Sequence, residues 1–210
     1  FGWFKSGDVT TVADIQGLKY RTVGLAADLL QEMGMSVAQL PGGEIVPAME
    51  RGVIDAFEFN NPSSDKDFGA QDVAKNYYLG SYHQASESFE WLFNRDMLET
   101  MDEDLQAILL HAVEATSTSN TASALDRYSA DLQSLQTESG VTVHRTSDAI
   151  LAAQLEAWST LIPTLEEDSF MRRVMESQKE WVERTVFYEL MNQPDLQLAY
   201  EHFFPGRLNM

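Results

Sequence analysis

The 210-residue sequence contains no cysteine. Disulfide frameworks, thiolate metal sites and cysteine nucleophiles are therefore all excluded. Its apolar runs fall short of the ~18 consecutive residues that a membrane-spanning helix needs, so no span is predicted. The first residue is Phe1 rather than methionine, and no secretory signal precedes the first predicted strand. We therefore expect the sequence to be a processed or truncated piece of a longer protein.

Basic residues are scarce, with 14 Lys and Arg against 33 Asp and Glu and a formal net charge of −19. A surface of this charge repels the phosphates of nucleic acids and anionic membranes, so neither is expected as a partner. An acidic protein can still bind an organic anion where a cationic side chain is held in place. Each well-positioned arginine is therefore informative.

Catalytic motifs are also missing from the sequence. It contains no phosphate-binding loop, dinucleotide fingerprint or nucleophile elbow, and its four histidines lack metal-ligand spacing. Asp65, Asp67 and Asp72 lack the ligand order of a calcium loop and are interpreted as a solvated surface. Catalysis normally needs a base beside a nucleophile or metal. An α/β enzyme acting on an oxo acid, with His83 or Glu58 as its base, is kept as an alternative.

Strands and short helices alternate in the first part of the chain, as is typical of α/β proteins. The predicted strands are residues 18–22, 36–40 and 53–59, and the predicted helices between them are residues 25–33 and 44–51. An extended segment is predicted over residues 77–90. Apolar spacing then indicates a long helical region up to Gly140, a strand at 141–144, a helix from Ser147, a long helix at 169–191 and a last helix at 195–203.

Two predicted strands end in residues that suit a ligand. Arg21 stands at the carboxyl end of the first, where ligands gather in α/β sheets, and its planar guanidinium matches a carboxylate. The strand 53–59 ends in Glu58, Phe59 and Asn60, and an acid, an aromatic ring and an amide are typical of a small-molecule pocket. The same residues also suit a surface arginine and a core aromatic, so the residues alone leave both interpretations open.

The strongest family signal lies in two segments, LKYR at residues 18–21 and GGEIVPAMERGVIDAFEF at residues 42–59. Both resemble the solute-binding proteins of TRAP transporters, the tripartite ATP-independent periplasmic systems. The most similar branch binds 2-oxo acids and related monocarboxylates and is often called the mannitol/chloroaromatic branch. The resemblance covers essentially the whole chain.

The resemblance implies a periplasmic-binding-protein-like α/β fold of two domains with a long carboxyl-terminal helix. The chain would be the carboxyl-terminal two-thirds of such a protein, with the amino-terminal domain largely missing. Residues 1–88 would form the second domain and residues 89–138 a returning part of the first. Residues 139–168 would go back to the second domain, and residues 169–210 would form the long helix and a terminal helical segment.

The resemblance also implies a solute site. Arg21 takes the place of the arginine that binds the solute carboxylate, and Glu58 and Phe59 take the places of an acid and a tryptophan in the site. In that branch the acid, a second glutamate and a glutamine bind a metal ion that touches the solute. Here Gln84 replaces the second glutamate, and the family's glutamine would lie before Phe1. Glu58 is therefore the one remaining candidate for a metal ligand. Because losing one carboxylate weakens a site for a hard cation, no bound metal is expected.

The implied function is an extracytoplasmic receptor in the periplasm. It would capture an organic monocarboxylate (a 2-oxo, 2-hydroxy or aromatic acid) and deliver it to the permease subunits of a TRAP transporter. The aromatic rings of Trp3, Phe59 and Tyr82 favour an acid with an apolar body. The full set of predicted solute contacts is Arg21, Glu58, Phe59, Asn60, Tyr82, Gln84 and Trp3.

A helical interaction module is the remaining alternative. The carboxyl-terminal helices carry many aromatic residues, among them Trp181, Phe187 and Phe203. Such stripes usually cover a protein's own core. In the resembling branch, however, the long helix can exchange between subunits, which implies a homodimer.

Overall fold

The computed structural model of the chain describes residues 1–84 and 88–208. Its strands are β1 Gly2–Phe4, β2 Lys19–Arg21, β3 Ser36–Ala38, β4 Ala56–Phe57, β5 Asn76–Leu79 and β6 Thr142–Arg145. They form one sheet in the order β3-β2-β4-β1-β5-β6. Strand β1 runs antiparallel to β4 and β5, whereas β2 is parallel to β3 and β4, and β5 is parallel to β6. The fold is therefore mixed α/β, as predicted.

The helices cover both faces of this sheet and extend beyond it. They are α1 Leu25–Glu32, α2 Ile45–Glu50, α3 Pro62–Phe68, α4 Ala70–Val73, α5 Arg95–Glu99, α6 Glu103–Thr137, α7 Asp148–Leu165, α8 Ser169–Asn192 and α9 Leu196–Phe203. The helices predicted from apolar spacing are all present. No helix in the described part of the chain is long and apolar enough to cross a lipid bilayer.

Helix α3 was not predicted, although its start follows a known rule. The Asn61 side chain accepts hydrogen bonds from the backbone N–H groups of Ser63 (3.1 Å) and Ser64 (3.0 Å). Pro62 occupies the first helical position, where its missing N–H costs nothing. The Asn-Pro pair therefore starts a helix, whereas the sequence analysis used it only to end a strand.

The sheet separates two apolar cores because successive side chains of a strand point to opposite faces. Trp3, Phe57 and Tyr77 pack on the face covered by α2, α4 and the end of α6. Phe4 and Tyr78, each next to one of these residues in the chain, pack on the other face against α1 and α7. The central strand β1 is thus buried on both sides, which fixes the position of the strand ends around it.

The segment after α6 returns to the sheet, where β6 pairs with β5 and α7 packs on α1. Helix α3 is joined to α6 by Asp131, which accepts hydrogen bonds from Ser63 Oγ (2.6 Å) and Lys66 Nζ (3.0 Å). The division into segments 1–88, 89–138, 139–168 and 169–210 stays a prediction. Residues 85–87, within the predicted extended segment 77–90, lie outside the described residues.

Three helices expose most of their apolar side chains. Among the side chains described, α6 buries only Leu135, and α8 and α9 bury none. The amphipathic stripe predicted near the start of α6 is open to solvent, with Leu105 51% and Ile108 62% exposed. The apolar faces of α6, α8 and α9 are therefore largely uncovered by the described part of the chain.

Candidate functional site

Arg21 and Glu58 lie side by side at the carboxyl ends of two parallel strands. Arg21 of β2 is in register with Phe57 of β4, so the residue after Phe57 leaves the sheet beside the arginine. Arg21 Nη1 donates to the Glu58 carbonyl oxygen (2.8 Å) and to its carboxylate Oε1 (3.3 Å). The two side chains are only 6% and 10% exposed. The structure thus brings together the two residues that the resemblance placed in one site.

Burial controls the protonation of this pair. Loss of hydration disfavours the charged form of each group, so it lowers the pKa of Arg21 and raises the pKa of Glu58. A hydrogen bond from the Thr22 hydroxyl to Glu58 Oε1 (3.0 Å) opposes the rise, as does the charge of Arg21. Arg21 Nε donates to the Leu40 carbonyl oxygen (2.9 Å), whereas Nη2 donates to no residue in the described ranges.

A cavity of about 470 Å³ opens beside this pair. Its wall contains five of the predicted contact residues, which are Glu58, Phe59, Asn60, Tyr82 and Gln84. Arg21 is not in the wall but contacts Glu58, which is. The size of the cavity suits a small organic acid. The solute-binding roles of these residues stay predictions.

The structure corrects the predicted place of Trp3. Its ring is fully buried and stacks on Tyr77 with ring centres 4.2 Å apart, so it does not line the cavity. Its Nε1 donates to Asp65 Oδ2 (2.8 Å). The physical reason is that β1 is the central strand, covered on both faces. Trp3 therefore contributes to the cavity only indirectly, through its hydrogen bond to Asp65, which lies in the wall.

The interpretation of Asp65 as part of a solvated surface is wrong. The residue is only 2% exposed, and burial raises the pKa of its carboxyl to about 6. Its Oδ1 accepts the backbone N–H of Asn60 (3.0 Å), while Oδ2 accepts Trp3 Nε1. Asp65 thus holds the backbone of Asn60, which lies in the cavity wall on the connection between β4 and α3.

The segment that carries Tyr82 and Gln84 is fastened to α7 by two side chains. The Tyr82 backbone N–H donates to Gln154 Oε1 (2.7 Å), and Trp158 Nε1 donates to the Tyr82 carbonyl oxygen (2.8 Å). Gln154 is fully buried. Sequence reasoning missed this residue, although a signal was present. Gln154 lies one helical turn after Ile150 on the buried face of α7, and a buried polar side chain needs a hydrogen-bond partner.

The side-chain oxygens around the cavity that could coordinate a metal ion do not suit a hard cation. Within residues 1–84 and 88–208, no three His, Asp or Glu side chains lie close enough to hold one. Glu58 gives Oε1 to Thr22 and Arg21, Asp65 uses both carboxylate oxygens, and Gln84 brings only a neutral amide. Hard cations require several anionic oxygens. No binding step through a metal is therefore derived.

An α/β sheet whose strand ends present a buried arginine–carboxylate pair beside a cavity has the features of a small-molecule binding site. Comparison with known families is more specific. The profile of bacterial extracellular solute-binding protein family 7 (DctP) matches residues 3–168, and the chain belongs to this family. Because the family consists of receptors, the enzyme alternative is set aside.

Individual relatives agree with this assignment. The chain is 29% identical over 207 residues to a monocarboxylate 2-oxoacid-binding periplasmic protein of Nostoc sp., covering 96% of this chain and 54% of the relative. A TRAP periplasmic solute-binding protein from Colwellia psychrerythraea, solved with calcium and pyruvate, matches with a TM-score of 0.83 and 26% identity over 97% of this chain and 61% of that one.

A TRAP solute-binding protein from Bordetella bronchiseptica, with copurified calcium and picolinate, has the same fold. Its TM-score is 0.81 at 24% identity, over 96% of this chain and 59% of that one. The predicted periplasmic-binding-protein-like fold is thereby confirmed. The chain spans only about half to three-fifths of the length of these relatives.

Proposed function

We propose that this chain is the greater part of a periplasmic receptor that captures a small organic monocarboxylate and delivers it to the membrane subunits of a TRAP transporter. The observation that carries the proposal is the buried Arg21–Glu58 pair beside the cavity, with Arg21 Nη2 left without a partner among the described residues. Family membership supports it, as do relatives whose names record 2-oxoacid, pyruvate or picolinate binding.

The proposed binding mode uses both the charged and the apolar parts of the site. The solute carboxylate accepts from Arg21 Nη2 once Glu58 and its neighbours adjust around it. A charge-assisted hydrogen bond of this kind contributes about 1.5–3 kcal/mol. The body of the acid lies against Phe59, which stacks on Phe68 with ring centres 5.0 Å apart, and against Tyr82, which is 46% exposed. Fixed apolar surfaces of this kind favour an acid with an apolar body.

We also propose that this chain binds its solute without a resident metal ion. The support is the donor set described above, in which Gln84 supplies a neutral amide and the oxygens of Asp65 are already engaged. The relatives solved with calcium and pyruvate or picolinate provide the contrast. In this chain, hydrogen-bond donors and acceptors of the wall would contact the solute directly.

Calorimetric titration of the full-length protein, which includes the missing part of the first domain, with pyruvate, lactate, phenylpyruvate and picolinate tests both proposals. We expect saturable binding of at least one acid, with the same Kd in EDTA and in calcium. The Gln84→Glu variant restores a second carboxylate beside Glu58 and is expected to make binding calcium-dependent. Absence of heat with all four acids would contradict the receptor proposal. Loss of wild-type binding in EDTA would contradict only the metal-free mode.

We further propose that α8 and α9 pair with a second copy of the chain. Trp181, Phe187 and Tyr188 of α8 are 59%, 67% and 64% exposed, and the Bordetella bronchiseptica relative is a dimer. Exposed aromatic residues in this number mark an interaction surface. We expect a dimer by light scattering. Trp181→Ala should weaken dimerisation roughly 30-fold or more, since truncated interface aromatics cost about 2 kcal/mol or more. Lys179→Ala, on the same exposed helix, is the control, and a wild-type monomer at all concentrations would refute the pairing.

A further inference from the structure

His83 lies in the wall of the cavity between Tyr82 and Gln84, and the receptor proposal above gives it no role. Burial lowers the pKa of its imidazole to about 3, so the ring is neutral at physiological pH. Its Nδ1 is hydrogen-bonded to Ser81 Oγ. Its Nε2 is buried and has no hydrogen-bond partner within residues 1–84 and 88–208. Whether Nε2 carries a hydrogen determines what it can bind.

The orientation of the Gln154 amide is fixed by its neighbours. The Tyr82 backbone N–H can only donate, so the amide atom 2.7 Å from it must be the oxygen Oε1. The other end of the amide is then the nitrogen Nε2. It donates to Ser81 Oγ over 2.7 Å. Gln154 itself is fully buried, so this arrangement is sheltered from solvent.

Ser81 transmits this orientation to the histidine. Its Oγ accepts from Gln154 Nε2 and from the His83 backbone N–H (3.3 Å), which uses both lone pairs of the hydroxyl. The single hydroxyl hydrogen is left to donate to His83 Nδ1. A neutral imidazole that accepts at Nδ1 carries its hydrogen at Nε2. Protonation of the ring would leave that hydrogen in place, so Nε2 is a donor in either state.

A buried N–H group without an acceptor is uncommon in folded proteins and points to a missing partner. His83 lines the cavity that also contains Glu58. We propose that His83 Nε2 donates a hydrogen bond to an oxygen on the second carbon of the bound acid, beside its carboxylate. His83 is then a specificity-determining residue for 2-oxo and 2-hydroxy acids. This inference rests on the proposed receptor function.

The choice of this oxygen follows from the other groups of the site. Arg21 is the cation suited to the carboxylate. A 2-oxo oxygen can only accept hydrogen bonds, whereas the carboxylate of Glu58 offers no hydrogen when ionised. The donor set of this chain does not fit a metal ion that could bind such an oxygen instead. The N–H of His83 supplies such a donor, and α7 holds it in position through Gln154 and Ser81.

A pair of matched acids tests the contact. Phenylpyruvate and 3-phenylpropionate share a skeleton, but only the first has the 2-oxo oxygen. We expect the wild-type protein to bind phenylpyruvate about tenfold more tightly by calorimetry, the effect of one buried hydrogen bond. His83→Asn places its amide near the Nδ1 position and should reduce the ratio of the two Kd values to about 1. His83→Gln places an amide nitrogen near Nε2 and should keep most of the preference.

The outcomes separate this contact from the receptor function. If the wild-type protein binds neither these acids nor pyruvate, lactate or picolinate, the receptor proposal fails. If it binds the matched acids with equal Kd values, or if His83→Asn leaves an unequal ratio unchanged, the His83 contact is refuted. Nitrogen-15 spectra of histidine-labelled protein give a second test that needs no ligand and no variant. They should show the Nε2–H tautomer for His83, and the Nδ1–H tautomer would overturn the inference.

Discussion

Replacing Arg21 with alanine is expected to abolish organic-acid binding and to lower the free energy of unfolding by about 3–5 kcal/mol. The loss of stability follows because the Glu58 carboxylate would remain buried without its cationic partner. The carbonyl oxygens of Leu40 and Glu58 would lose their donors as well. Urea denaturation measures the first effect, and calorimetric titration with the acid that the wild-type protein binds measures the second.

A double variant separates the two roles of Arg21. Arg21→Met combined with Glu58→Gln removes both charges, and replacing both partners of a buried pair is often neutral for stability. We expect this variant to lose clearly less stability than Arg21→Ala, since it leaves no unpaired buried charge and loses only the bonds to the Leu40 and Glu58 carbonyl oxygens, and still to bind no acid. Arg21→Lys keeps the charge but not the planar fork that contacts Leu40 and Glu58 together, so it should also bind poorly. Wild-type affinity in Arg21→Ala would contradict the proposed carboxylate contact.

The elements of the fold could be predicted where the information is local. The strand that ends at Arg21 and the helices α1 and α8 follow from spacing and from glycine or polar residues at their ends. Strand β4 is shorter than the predicted strand 53–59. Its chain leaves the sheet at Glu58, where the side chain turns to Arg21 and Thr22. That departure depends on a neighbouring strand, and periodicity cannot reveal it.

The site was predictable where the resemblance supplied positions, and not where burial depended on a distant partner. Resemblance placed Arg21 and Glu58 together. It gave no indication that Asp65 is buried, because an aspartate is usually exposed unless it is paired. The partner of Asp65 is Trp3, 62 residues earlier in the chain. Gln154 and Ser81 are likewise 73 residues apart. Contacts over such separations exist only once the sheet has formed.

The buried side chains of Asp65 and Gln154 have the same structural role. Asp65 and Gln154 each join a connection at the cavity to the core of the protein, Asp65 through Trp3 and Gln154 from helix α7. Glu58 also lies in the cavity wall. A buried polar group strengthens structure only when all its hydrogen-bonding atoms are paired. The stability of the cavity wall is therefore linked to the protonation of its acids, and Asp65 is the clearest case.

Asp65 is expected to stabilise the protein on mild acidification. Burial raises the pKa of its carboxyl from 3.8 to about 6 in the folded state, so between these values the folded protein binds a proton that the unfolded chain does not. The contribution of Asp65 to stability is therefore fully present below pH 3.8 and is lost as the pH rises through about 6. The difference between the two pKa values corresponds to about 3 kcal/mol.

The comparison with Asp65→Asn isolates this contribution from those of the other acids. Urea denaturation of both proteins between pH 4 and pH 7.5 gives the difference in their free energies of unfolding at each pH. We expect that difference to change by about 2.4 kcal/mol in favour of the wild-type protein on going from pH 7.5 to pH 4, because the unfolded carboxyl is already partly protonated at pH 4. Asp72→Asn removes the same charge from an exposed position of α4 and is the control for net charge. A difference that does not depend on pH would show that Asp65 remains ionised in the folded protein. In that case its bonds to Trp3 and Asn60 would outweigh the cost of burying the charge.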